Sequence, residues 1–174
     1  MNPKLASLFS RRSIRAFTSE KIPAETITAL LTAAMAAPSA CAKDPWDFIV
    51  VTDKKRLTEI TAALPNGPFL SSAACGIVVT GNISKAHRGE LSYLIQDCAA
   101  AIQNLLLAAD MLGLGACWLG VHPRQERMDF LQNYFSLPQD ILPIAVIALG
   151  VPAEKKPPAT RFQQSKVHVE NFRR

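Results

Sequence analysis

The sequence predicts a mixed α/β or α+β protein, and three observations carry that prediction. Short apolar, β-branched runs (46–52, 75–81, 142–151) alternate with segments of helical periodicity. Residues 91–112 form one long alanine- and leucine-rich helical pattern that is apolar almost all round. Prolines and glycines fall between these segments and leave no internal repeat, linker or low-complexity stretch.

Taken in order, residues 3–10 read as a short helix with Leu5, Leu8 and Phe9 on one side, and 11–18 as a loop or short extended segment. Pro23 opens a helix, with Ile22, Ile27, Leu30, Leu31 and Ala34 recurring at helical spacing; it ends before Pro38, because the residue before a proline avoids helical backbone. A loop over 38–45 leads to the strand 46–52, whose Phe-Ile-Val-Val run predicts burial on both faces. Asp53 is placed to cap the helix 54–63, and Asn66-Gly67-Pro68 marks a turn. The strand 75–81 and a loop at 84–87 precede the long helix, which Gly113 and Gly115 stop. Residues 116–120 lead towards a strand, 123–134 are helical, and 142–151 is the third clear strand. The remainder, with prolines at 152, 157 and 158, reads as an extended arm. A long apolar helix and a tail with little to pack on favour a dimer whose arms wrap the partner.

Composition sets bounds. The 174 residues are 49% hydrophobic, which supports one domain, 1–174, and argues against global disorder. No apolar run reaches the ~18–20 residues of a membrane span, and the N-terminal apolar stretch is too short for a signal peptide, so a cytoplasmic protein without membrane association is expected. The net charge of +5 gathers at Arg11–Arg15 and in the tail from Lys155 to Arg174. Two small, separated cationic clusters suit one small anionic ligand better than a nucleic acid. Cys41, Cys75, Cys98 and Cys117 form no C-x-x-C pair and stand at no zinc spacing to His87, His122 or His168, and their neighbours are apolar or small, so free buried thiols and no metal are expected.

Four segments could carry chemistry. In extended backbone Arg11, Ser13 and Arg15 share a face, and paired guanidiniums with a hydroxyl suit a phosphate. Ala37-Pro38-Ser39-Ala40, running to Pro45-Trp46, is a stiff loop of small residues with room for a flat ligand, where backbone groups and Ser39 could hydrogen-bond a heterocycle's polar edge; read alone, it is first an ordinary helix-to-strand connection with Trp46 in the core. Gly113–Gly120 lets backbone approach a ligand, yet Gly113 and Gly115 follow a helix instead of opening one, so no dinucleotide fingerprint is present, and no phosphate-loop motif either. Arg161, on the proline arm, is the fourth. No catalytic triad, zinc-protease motif or acid–base pair accompanies them, so no catalytic side chain is assigned; a cofactor enzyme has that profile.

In this order the segments resemble the nitroreductase family of FMN-dependent oxidoreductases: R-R-S-I-R-x-F at 11–17, A-P-S-A at 37–40, P-W-x-F-I-V-V at 45–51, the helix 96–109, G-L-G-A-C-W-L-G at 113–120 and K-P-P-A-T-R-F at 156–162. The length is similar to the family's short branch. The resemblance implies an α+β fold, a central mainly antiparallel sheet flanked by helices, in an intertwined homodimer with an extended C-terminal arm. It implies FMN at the dimer interface, hydride transfer from NAD(P)H, and a small electron-poor acceptor such as a nitroaromatic or quinone. Arg11, Arg12, Ser13 and Arg15 would hold the phosphate and pyrimidine edge, with Arg161 joining at the phosphate. Pro38, Ser39 and Ala40 would line the ring from the other subunit. Trp118, Leu119 and Gly120 would pack on the isoalloxazine, with the Gly120 N–H near N5. The sequence departs from the family at Ala42 and Asp44, where an asparagine and a glutamine are frequent; an amide is lost and a carboxylate gained. Asp97 stands either where the family faces a polar residue to the flavin or at a contact across the dimer, and it is not counted among the site residues. Two alternatives stay open: a flavin-bound dehydrogenase or dehalogenase of the same fold, and a non-enzymatic ligand-binding module.

Overall fold

The computed structural model describes residues 2–172; Arg173 and Arg174 of the basic tail lie outside the described residues. Four strands form one sheet: β1 (Trp46–Val51), β2 (Cys75–Asn82), β3 (Gly115–Gly120) and β4 (Ile141–Gly150). Their spatial order is β1-β2-β4-β3, and all three pairings are antiparallel. Five α-helices surround it: α1 (Ala6–Ser10), α2 (Ala24–Met35), α3 (Lys54–Thr61), α4 (Leu91–Met111) and α5 (Gln125–Tyr134). The fold is α+β with an antiparallel sheet flanked by helices, as the sequence resemblance implies.

The helices divide between the two sheet faces, each with its own core. On one face α2 and α4 pack through Leu30, Leu94, Ile102 and Leu105 onto Ile77 and Ile147. On the other, α3 and α5 contribute Leu57, Ile60 and Leu131 against Val78 and Val146. The central strands β2 and β4 are therefore buried on both sides, which is why they read as unbroken apolar runs. Burial on both faces does not hold for the strand at 46–52. β1 lies at the sheet edge, and between buried Trp46 and Val51 its residues are half-buried or exposed. Its apolar run reflects β-propensity on a half-covered surface.

Local signals place the ends. The Asp53 carboxylate accepts the Arg56 N–H at 2.8 Å, capping α3. The first segment is a 3₁₀ turn (Pro3–Leu5) running into α1, and the helix expected from 123 begins at Gln125. Helix α4 is long and apolar enough to cross a membrane, but one side of it packs into the core; its other side, Gln96, Ala99, Ala100, Gln103 and Leu107, stays open or half-open.

Candidate functional site

Residues 13 and 14 of the 11–17 segment meet the outer edge of β3, and residues 16–18 pair with 151–153 just past β4. The Ile14 N–H donates to the Ala116 carbonyl at 3.0 Å, beside a parallel bridge between Ser13 and Ala116. Ile14 is buried against Gly115, where a Cβ would lie 2.7 Å from the Ile14 Cγ2; the glycine allows this close approach. Further along, Phe17 packs over Gly150 and pairs with Pro152. The segment is thus pinned at Ile14 and Phe17, with Arg11, Arg12, Ser13 and Arg15 around the pins.

The arm returns to the same place. Lys156 Nζ donates to the Ser13 carbonyl at 2.7 Å, Arg12 donates to the Pro157 carbonyl, and the Ala159 N–H donates to Phe9 O at 3.1 Å. Arg11, Arg12, Ser13, Arg15, Lys156 and Arg161 consequently line one cavity of about 230 Å³. Strict two-residue alternation would have sent Arg12 to the opposite side; here the backbone makes only isolated bridges, and all four N-terminal residues reach the cavity. Five cations meet there. The acid at the rim, Glu154, accepts the Arg15 N–H and pairs with Lys156 at 3.0 Å, and these partners hold its carboxyl below the ordinary carboxylate range. Neither Arg11 nor Arg161 has a side-chain hydrogen bond or ion pair among the described residues.

A second cavity, about 160 Å³, adjoins through Arg15. Asn66, Trp118, Leu119, Gly120 and Arg127 complete its polar and apolar walls. The outward-facing Ala116 carbonyl fixes the parity of β3, so the N–H and C=O of Trp118 and Gly120 face the same outer edge. Arg127 confirms that direction by donating to Gly120 O at 2.7 Å. A Cβ built on Gly120 meets nothing within 4 Å, so the backbone here is open to a flat ligand. Cys117 lines this cavity too; burial pushes its thiol pKa up while Arg15 and Ser13 pull it down.

Pro38, Ser39 and Ala40 do not join either cavity within the chain. Their loop is held by α4 and by itself. The Ala40 N–H donates to Asp97 Oδ1 at 2.9 Å, the Ser39 hydroxyl donates to Asp44 at 2.5 Å, and the Asp44 N–H returns to Ser39 Oγ at 2.9 Å. Within this chain the Ser39 hydroxyl is therefore committed to the loop's own carboxylate. Cys41, Ala42 and Asp44 all adopt positive φ, a backbone that L residues rarely take and that this hydrogen-bond network sustains. Asp97 is 5% exposed, and its Oδ2 has no partner among the described residues.

Asn66, Lys156 and Arg127 escaped the sequence reading as site residues, whereas Asp97, which it weighed and left uncounted, lines neither cavity. Lys156 stands inside the K-P-P-A-T-R-F segment; Asn66 looked like a turn residue, and Arg127 like the polar side of a helix. All four thiols are free, but only Cys75, Cys98 and Cys117 are buried; Cys41 lies exposed on the 38–45 loop, against the expectation of burial. No metal-ligand cluster occurs among the described residues.

An antiparallel α+β sheet with a cationic cleft running into an open strand edge defines a small-ligand-binding α+β protein, not a Rossmann or phosphate-loop domain. The chain belongs to the Nitroreductase family, whose profile matches residues 8–151. It is 39% identical over 175 residues, 99% of this chain and 100% of the relative, to a protein of Archaeoglobus fulgidus named "Putative NADH dehydrogenase/NAD(P)H nitroreductase". A crystal structure under that name from Bacteroides thetaiotaomicron superposes with a TM-score of 0.92 at 37% identity, covering 99% of both chains. A Desulfovibrio desulfuricans protein solved in complex with FMN superposes at 0.85 with 31% identity, again over 99% of both chains.

Proposed function

We propose that this chain is an FMN-dependent oxidoreductase of one domain that works as a homodimer, taking hydride from NAD(P)H and passing it to a small electron-poor acceptor such as a nitroaromatic or quinone. The observation that carries the reading is the pair of cavities meeting at Arg15. One is lined by five cations and Ser13, and suits a phosphate. The other has an open backbone edge at Trp118–Gly120 with no Cβ in the way, and suits a flat heterocycle. The residues present fit FMN, and the FMN complex and NAD(P)H nitroreductase name among similar proteins support it.

In this reading Arg11, Arg12, Arg15, Lys156 and Arg161 bind the phosphate, with the Ser13 hydroxyl beside them. The backbone of Trp118, Leu119 and Gly120 orients the ring, and the Gly120 N–H donates at its reactive edge. The hydride chemistry is supplied by FMN when bound, and the protein contributes position, charge and exclusion of water. Pro38, Ser39 and Ala40 line the ring from the second copy. Two features support that second copy. The open side of α4 sets Ala99 and Ala100 between Gln96 and Gln103, and small residues there let another helix approach closely. Beyond Arg161 the arm leaves its own chain with Phe162, Val169 and Phe172 at 71%, 69% and 77% exposure.

The test is a visible spectrum after incubation with FMN and gel filtration, followed by NAD(P)H oxidation with a nitroaromatic or quinone. Retained flavin absorbance, a dimer mass by light scattering and acceptor-dependent NAD(P)H consumption are expected. A colourless protein that ignores FMN would refute the reading; bound flavin with no nicotinamide oxidation would turn it to the dehydrogenase or dehalogenase alternative.

A further inference from the structure

Arg127 sits in the first turn of α5, half-buried, at the wall of the cavity that carries Trp118 and Gly120. One of its N–H groups goes to Gly120 O at 2.7 Å, and among the described residues its buried Nε has no acceptor and no carboxylate pairs with it. A cation of this kind is costly to keep half-buried unless something offsets it. The other cation of the same cavity is Arg15, and the lining contains no acid. The ring end of the cleft therefore carries two positive charges beyond Arg11, Arg12, Lys156 and Arg161 of the neighbouring cavity.

We infer that Arg127 is a charge-positioning residue that makes the ring-end cavity bind its occupant more tightly as negative charge accumulates on it. The inference rests on the FMN reading above. Two-electron reduction with uptake of one proton leaves a flavin ring one charge more negative than its oxidised form. A cavity that prefers the negative form binds reduced FMN more tightly than oxidised FMN, and by linkage this raises the midpoint potential of the bound couple. The charge acts from the wall, and the Gly120 hydrogen bond fixes where it stands.

The test uses the FMN-loaded full chain with Arg127→Gln and Arg127→Lys. Affinity for oxidised FMN is read by fluorescence quenching. The midpoint potential is read by titration with dithionite, which supplies the two electrons, against a reference dye, while water supplies the proton. Arg127→Gln is expected to hold oxidised FMN within about threefold of wild type. It should lose about tenfold in the ratio of reduced to oxidised affinity, a midpoint about 30 mV more negative. Arg127→Lys keeps the charge and should stay near wild type. An unchanged midpoint in Arg127→Gln overturns the inference. An equal shift in Arg127→Lys overturns it as well, because the Gly120 bond and not the charge would then be responsible. A wild type that binds no FMN would sink the functional reading itself, a result visible before any potential is measured.

Discussion

The proposal that the cavity of five cations holds a phosphate makes a quantitative prediction for Arg161→Ala. Arg161 is exposed, lines the cavity and has no competing partner among the described residues, so its loss removes a contact to the ligand without breaking one within the protein. A hydrogen bond to a charged group contributes ~1.5–3 kcal/mol when sheltered, and exposure brings the figure towards the lower end. A cost of about 1.4 kcal/mol is tenfold in Kd. Arg11 has the same freedom but is half-buried, so Arg11→Ala should cost more, up to ~3 kcal/mol or roughly 150-fold. The assay is quenching of flavin fluorescence, run with FMN and with riboflavin, which has the ring and no phosphate. Each substitution should weaken FMN by its full factor and leave riboflavin within about twofold. The salt dependence of FMN binding should also flatten in both variants. If riboflavin weakens as much as FMN, the arginines support the ring or the fold, and the assignment of the cavity to a phosphate is refuted.

The remaining predictions probe the strand edge, the core and the thiols. Gly120→Val places a β-branched side chain in open space on an edge strand, so the Tm should hold while FMN affinity falls at least about tenfold; a large drop in Tm would contradict the open edge. Gly81→Ala sets a Cβ 2.6 Å from Leu94 Cδ1 and 3.1 Å from Cys98 Sγ, forcing α4 away from β2; a loss of ~1–3 kcal/mol in urea unfolding is expected. Burial pushes the Cys75 and Cys98 thiols from 9.0 to about 11 and about 12. Above pH 9 the unfolded chain sheds those protons while the folded chain keeps them. Stability is therefore intact below pH 9 and falls as pH rises towards 11, by up to ~1.4 kcal/mol per pH unit per thiol. A Cys75→Ala, Cys98→Ala double variant should flatten that slope, and an unchanged slope would refute the assignment to these thiols.

Much of this architecture was legible in the sequence because the signals are local. Helical spacing at Ile27, Leu30 and Ala34, the Asp53 cap and the breaker at Gly113 each act within a few residues. The edge position of β1 was not legible: Phe48-Ile49-Val50-Val51 has the same composition as a central strand, and only the sheet order distinguishes them. The site divides in the same way. Arg11, Arg12, Ser13 and Arg15 are contiguous, and they share a cavity. Lys156 and Arg127 reach the site only because the arm folds back on 9–17 and because α5 starts beside Gly120, and neither fact has a local signature. The intrachain commitment of the Ser39 hydroxyl was not legible, for the complementary reason. Its partner, Asp44, is five residues away, across a loop whose positive φ values no propensity rule would have assigned.

The position of the cleft follows from how the fold treats its exposed sheet edge. An unpaired edge strand invites further pairing, and proteins blunt it by covering it. Here residues 11–17 cover only the upstream half of β3, where Ser13 and Ile14 meet Ala116. Along the outer side of Trp118–Gly120, opposite β4, no strand among the described residues pairs, and the outward N–H groups remain available. The covering segment carries Arg11, Arg12 and Arg15, so the cations are delivered to the point where the cover stops. Gly115 lets the segment approach and Gly120 keeps the uncovered end clear, so two glycines on one strand, five residues apart, have opposite tasks. Filling Gly115 should therefore loosen the cation cluster and the strand together, whereas filling Gly120 should remove ligand binding from an otherwise intact protein.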